Sequence, residues 1–158
     1  MNFNNFTVKA QSAVQKSIDL TRGKNQQAIE PAHLTKAILE EAESITNLLF
    51  QKMGVNSQQF AASIDKAIDS FPKVSGGEPF LSRETNAVLQ KAIDVSSKMG
   101  DQYVSIEPII LALFLEKSDV STLMKDAGIT EKDLTAAIGE LRKGNPVTSP
   151  SAEDTYQS

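Results

Sequence analysis

Apolar residues recur along this chain at helical spacing, and they do so twice. Ala10, Ala13, Val14, Ser17, Ile18 and Thr21 step by three and one along a single helix face. Thr7 is placed to cap the N-terminus of that helix, and Gly23 to follow it as the C′ residue. Pro31 suits the first turn of a second helix, whose stripe is Leu34, Ala37 and Ile38. Ser44 is expected to cap a third helix carrying Ile45, Leu48, Leu49 and Met53, with Gly54 ending it. Asn56 or Ser57 opens a fourth, with Phe60, Ile64, Ala67, Ile68 and Phe71 in register. After a Pro- and Gly-containing stretch, Pro72 to Pro79, the pattern returns. Ser82 stands for Thr7, and Thr85, Val88, Leu89, Ala92, Ile93 and Ser96 repeat the first stripe. Ser105 is expected to cap a sixth helix, Gly128 to end a seventh, and Thr130 to open an eighth.

The recurrence has a fixed register. Gln15-Lys16-Ser17-Ile18-Asp19 reappears as Gln90-Lys91-Ala92-Ile93-Asp94, a shift of 90 − 15 = 75. After one deletion the shift is 74, carrying Leu49 to Leu123 and Gly54 to Gly128. This register sets Ala32 opposite Glu107, and rejects a pairing of Glu30-Pro31 with Glu107-Pro108 that would need a two-residue insertion. The expectation is an all-α domain at 1–143, with repeat one at 7–71, a linker at 72–80 and repeat two at 81–142. Residues 144–158 are too polar and Pro-rich to bury apolar area and are expected to form a flexible tail. The repeats differ most in their second helices. Thr35, Lys36 and Glu40 of the first become Ile110, Leu111 and Leu115 in the second, so that helix is expected either to be central or to line a groove.

Composition narrows the function. The net charge of −4 lacks the basic face of a nucleic-acid binder. With no cysteine there is no disulfide, thiol nucleophile or thiolate metal site. Met1 to Phe6 has no cationic lead, and Ile109 to Leu115 is too short to span a bilayer, so neither secretion nor a membrane partner is expected. The lone His33 sits on an apolar stripe without carboxylates at ligand spacing and is expected to be structural. Gly23-Lys24 lacks the strand and spacing of a phosphate loop, and the recurring Asp19 and Asp94 fit helix surfaces better than a catalytic pair. No catalytic residue is expected.

Certain motifs carry a resemblance. Phe6-Thr7, Ile29-Glu30-Pro31-Ala32-His33-Leu34, Met53-Gly54-Val55, Gly100 to Glu107 and Ala127-Gly128-Ile129 resemble the N-terminal domain of the Clp ATPase family over about residues 1–143. The Ile-Glu-Pro-x-His-Leu form is similar to the ClpB disaggregase branch rather than ClpA or ClpC, and Ala152 to Gln157 resembles the lead-in to a first AAA+ module, as though the chain were an excised domain. The resemblance implies a mobile, non-enzymatic module that captures unfolded or aggregated polypeptide for threading. ATP and Mg would serve the AAA+ modules only. It further implies a cytoplasmic homohexamer working with a DnaK-type chaperone, the isolated domain being a monomer. The alternative implied by ClpA or ClpC is docking of a folded adaptor. Carried over residue by residue, the substrate-binding positions are Thr7, Asp101 and Glu107, beside an apolar groove at Val95, Pro108 and Lys91, where Lys91 departs from the Leu common in that family. Together they predict a shallow apolar patch rimmed by a hydroxyl and two carboxylates.

Overall fold

A computed structural model describes residues 1–157. Eight α-helices make up the body: α1 Val8–Gly23, α2 Pro31–Glu41, α3 Glu43–Met53, α4 Ser57–Asp69, α5 Arg83–Lys98, α6 Ile106–Leu115, α7 Asp119–Asp126 and α8 Glu131–Arg142. The caps largely follow the sequence. Thr7, Asn56, Ser82 and Thr130 each accept a backbone N–H three residues on, and Gly54 ends α3 at φ 68°. Two ends differ. Gly23 remains helical, and the left-handed position falls to Asn25 at φ 57°. Ser44 does not cap α3, because α2 and α3 are joined through the single residue Ala42, which leaves Ser44 inside the first turn.

The repeats are tied by exchanged arms. Ala28–Ile29 (β1) pairs in parallel with Phe80–Leu81 (β2), while Phe6 bridges Val104 in the same sense. Adding 75 to Phe6 and Ile29 gives Leu81 and Val104, so the two bridges are copies of one another. The hydrogen bonds repeat as well: Thr7 N donates to Val104 O at 2.9 Å, and Ser82 N to Ile29 O at 3.1 Å. Each half therefore lends its leading segment to the loop of the other. Pro31 and Ile106, both first residues of their helices, obey the ungapped register too.

One core serves both halves. It runs from Phe6 and Leu34 through Ile45 and Ile64 to Leu89, Ile109 and Ile138. The apolar helix α6 is central: Ile110 and Leu111 are buried, only Leu115 is half-buried, and α2, α5, α7 and α8 surround it. Each fully buried Leu, Ile or Phe contributes about 1.5–3 kcal/mol by removal from water, which explains why this helix tolerates no polar face. The C′ residue of α7 is Gly128 at φ 95°. Gly128→Val puts a β-branched side chain into that region and is expected to cost about 1–3 kcal/mol. Urea denaturation checks this; an unchanged midpoint would contradict the strain.

Candidate functional site

Three of the six residues singled out by sequence lie around the N-terminus of α6: Asp101 and Glu107, six positions apart, and Thr7, from the other end of the chain. Gly100, at φ 76°, turns the backbone after α5 and delivers Asp101. Glu107 lies in the first turn of α6, and Thr7 precedes α1. Between the two carboxylates sits Arg142, the last residue of α8. Its Nε donates to Glu107 Oε1 at 2.8 Å and its NH1 to Asp101 Oδ1 at 3.1 Å; NH2 lies 2.9 Å from Asp101 Oδ2 and donates to Ser105 Oγ at 2.8 Å. The side chains of Asp101 and Glu107 are 0% exposed and that of Arg142 is 5%. Burial alone would lower the Arg142 pKa, but the charges and hydrogen bonds of Glu107 and Asp101 hold it above its ordinary value.

Thr7 meets a different partner. Its hydroxyl donates to Glu153 Oε2 at 2.6 Å and accepts Ala10 N at 3.1 Å. The same Glu153 oxygen accepts the N–H of Ile106 at 3.1 Å, so the N-terminus of α6 is capped by Glu153 rather than by Ser105. Glu153 belongs to a short 3-10 helix, Ala152–Gln157, which ends the described chain. Burial raises its pKa, the Thr7 hydrogen bond opposes this, and the charge of Glu107 adds to the rise. Its second oxygen is buried without a hydrogen bond among the described residues. Tyr156 stands against Glu107; burial and then the carboxylate charge push its hydroxyl pKa up.

The other three residues do not complete a groove. Val95 on α5 and Pro108 on α6 are buried, and Lys91 is half-buried one turn before Val95. The expected exposed acidic rim is instead a closed cluster, because Arg142 neutralises the carboxylates from within and the tail covers Thr7. A cavity of about 300 Å³ lies elsewhere, between Glu30, Phe71, Glu84 and Ser118. Sequence reasoning missed Arg142 and Glu153. Arg142 left a signal, since Leu134, Ile138 and Arg142 step by four along the buried face of α8, where an arginine calls for a buried acid. Glu153, in a polar tail, left none.

Half one holds the neutral counterpart. His33 Nδ1 accepts Glu30 N–H at 3.0 Å, and Nε2 lies 2.7 Å from Gln26 Oε1. Gln26 Nε2 donates to Ile68 O at 2.8 Å. Burial lowers the His33 pKa to about 4. The ring is held by hydrogen bonds on both of its nitrogens. Among the described residues no group of three or more His, Asp or Glu could hold a metal, and no helix is long and apolar enough to cross a membrane.

These features define a duplicated helical domain, and the comparisons name its family. Residues 5–127 match the Clp repeat (R) N-terminal domain, and the chain belongs to that family. It is 60% identical over all 158 residues to chaperone protein ClpB of Bacteroides thetaiotaomicron, spanning 18% of that protein's length. The homology is thus that of a ClpB-type chaperone domain, not of an AAA+ ATPase module. The Hsp104 N-terminal domain of Candida albicans shares the fold, with a TM-score of 0.85 at 20% identity, over 95% of this chain and 99% of that one. So does a ClpV N-domain solved as a complex with a VipB peptide, with a TM-score of 0.71 at 18% identity, over 96% and 91% of the two chains.

Proposed function

We propose that this domain captures unfolded or aggregated polypeptide for a ClpB-type, ATP-dependent disaggregase. Threading would be done by AAA+ modules outside this chain, which would bind ATP and Mg, in a cytoplasmic homohexamer working with a DnaK-type chaperone. The observation that carries the reading is the 60% identity to a ClpB chaperone across every residue of the chain. A ClpV N-domain of the same fold taking a peptide supports it. In this reading the client meets the surface around Thr7, Asp101 and Glu107, with Val95, Pro108 and Lys91 beside them, while the two carboxylates stay paired with Arg142.

Unfolded chains offer apolar side chains and unpaired backbone N–H and C=O groups, which a small helical surface can engage without reading sequence. A net hydrogen bond contributes about 0.5–1.5 kcal/mol, so a single domain should bind at micromolar affinity or weaker, and several domains in a ring would supply avidity. Titrating the labelled domain with unfolded casein, followed by NMR, tests this. Shifts should cluster around Thr7, Asp101 and Glu107. No binding at millimolar casein would overturn the reading.

A further inference from the structure

The two halves differ at equivalent positions, and in half two a later segment of the chain packs onto them. With the shift of 75, Asp101, Ile106 and Glu107 stand where half one has Gln26, Pro31 and Ala32; with 74, Arg142 stands where it has Ile68. Half one closes these positions internally. Pro31 has no N–H to satisfy, and Gln26 spans from His33 to Ile68 O. Ser82, the counterpart of Thr7, donates its hydroxyl to Thr85 Oγ1, which passes on to Ile29 O.

Half two does not close the same positions from within its own helices. The counterpart of Thr85 is Ala10, so nothing local takes the Thr7 hydroxyl proton. Ile106 restores an N–H at the head of α6. Asp101 keeps a lone pair beyond its bonds to Arg142. The tail supplies what these groups lack. Val147 N donates to Asp101 Oδ1 at 2.9 Å, and Gln102 N donates to Val147 O at 2.7 Å, so one residue, itself 1% exposed, is gripped by both its backbone groups. Val8 N donates to Pro150 O at 2.8 Å. Six residues after Val147, the Glu153 carboxylate takes both Thr7 and Ile106. The grip is incomplete at its outer side, where a cavity of about 210 Å³ opens between Val8, Glu41, Ser151 and Asp154.

The geometry points to a peptide-acceptor site formed by the α5–α6 loop and the N-termini of α1 and α6. Its ligand is a segment carrying an apolar residue gripped by its backbone and, six positions later, a carboxylate presented from a 3-10 turn. The chain's own residues 145–157 occupy it as an intramolecular stand-in, and a client must displace them. The last step rests on the client-capture reading above; the acceptor site does not. Ring-borne clients would meet a closed domain until the tail leaves, and the client would then find the Thr7 hydroxyl proton, one lone pair of Asp101 Oδ1 and the amides of Gln102 and Ile106 without partners.

The test uses the whole chain and a fluorescein-labelled peptide with the sequence of Asn145 to Gln157. In the variant Val147→Asp with Glu153→Lys the tail is released, and the peptide should bind at least tenfold more tightly than to the wild type. The Val8, Gln102 and Ile106 amides should lose hydrogen-exchange protection and regain it with peptide, while those of Ile109 to Leu113 stay protected. Should the variant not fold, the wild type still decides: excess unlabelled peptide should move the NMR signals of residues 147–156 to unstructured positions. Equal peptide binding by variant and wild type, or tail signals that never move in the wild type, would overturn the site. Unfolded casein separates the two ideas. Tighter casein binding by the released variant supports displacement by clients. Peptide binding without casein binding keeps the acceptor site and removes client capture.

Discussion

Arg142→Ala is expected to destabilise the domain by about 3–5 kcal/mol, the usual consequence of stranding buried charge. For a chain of this size that lowers Tm by roughly 10 °C or more. The reason is local. Asp101 and Glu107 are both wholly buried, and the guanidinium is their shared counter-charge. Removing it leaves two carboxylates close together with no compensation. The converse change, Asp101→Ala with Glu107→Ala, strands the guanidinium instead. Taken as exposed rim residues, these two acids could be lost with folding nearly intact; in the observed cluster their loss should destabilise comparably. Combining Arg142→Met with Asp101→Asn and Glu107→Met removes all three charges, while the new side-chain amide oxygen at position 101 can still accept the Val147 N–H. It should recover much of the loss, because a neutral, well-packed replacement avoids desolvation altogether. Thermal unfolding by circular dichroism checks the series. A near-wild-type Tm for Arg142→Ala would mean that water reaches the carboxylates.

Helix stripes, caps and the internal repeat were legible because they are short-range or recur at a fixed shift. The register of 75 relates the two bridges to one another, although β pairing itself left no strand pattern in segments as short as Ala28–Ile29. The convergence of Thr7, Asp101 and Glu107 came from resemblance, not from spacing. What it could not give was burial. Exposure of a carboxylate depends on a partner that can lie anywhere in the chain, here 35 residues beyond Glu107. The tail shows the same limit from the other side. A segment as polar as 144–151 has too little apolar area to fold by itself, yet a single buried Val147 and one carboxylate at a helix N-terminus suffice to seat it when the acceptor is already formed. Composition reports what a segment can bury alone and is silent on what a neighbouring surface offers it.

Stability is expected to fall by about 3 kcal/mol through His33 as pH drops from 6.5 toward 4. The hydrogen-bond network assigns the neutral ring with its proton on Nε2, facing Gln26 Oε1, because Nδ1 is accepting the Glu30 N–H. A second proton would have to sit on Nδ1, donor against donor, at the head of α2 and with the Phe71 ring 5.5 Å away. Burial therefore lowers the folded pKa from 6.5 to about 4. Between those values the unfolded chain binds a proton that the folded one refuses, so stability rises with pH across that window. Each pH unit is worth about 1.4 kcal/mol, which gives about 3 kcal/mol over the span. Glu30 and Glu153 work in the opposite direction: burial raises their folded pKa values, so the stability they bring is present at low pH and lost as pH rises through those values. The total slope is thus a sum of opposing contributions, and the difference between wild type and His33→Gln isolates the histidine. The variant is expected to lose most of the slope between pH 4 and 6.5 in urea denaturation, whatever its stability at pH 7. Parallel curves for the two proteins would show that the ring stays neutral in both folded and unfolded states, or is charged in both, and that the Gln26 contact does not hold it.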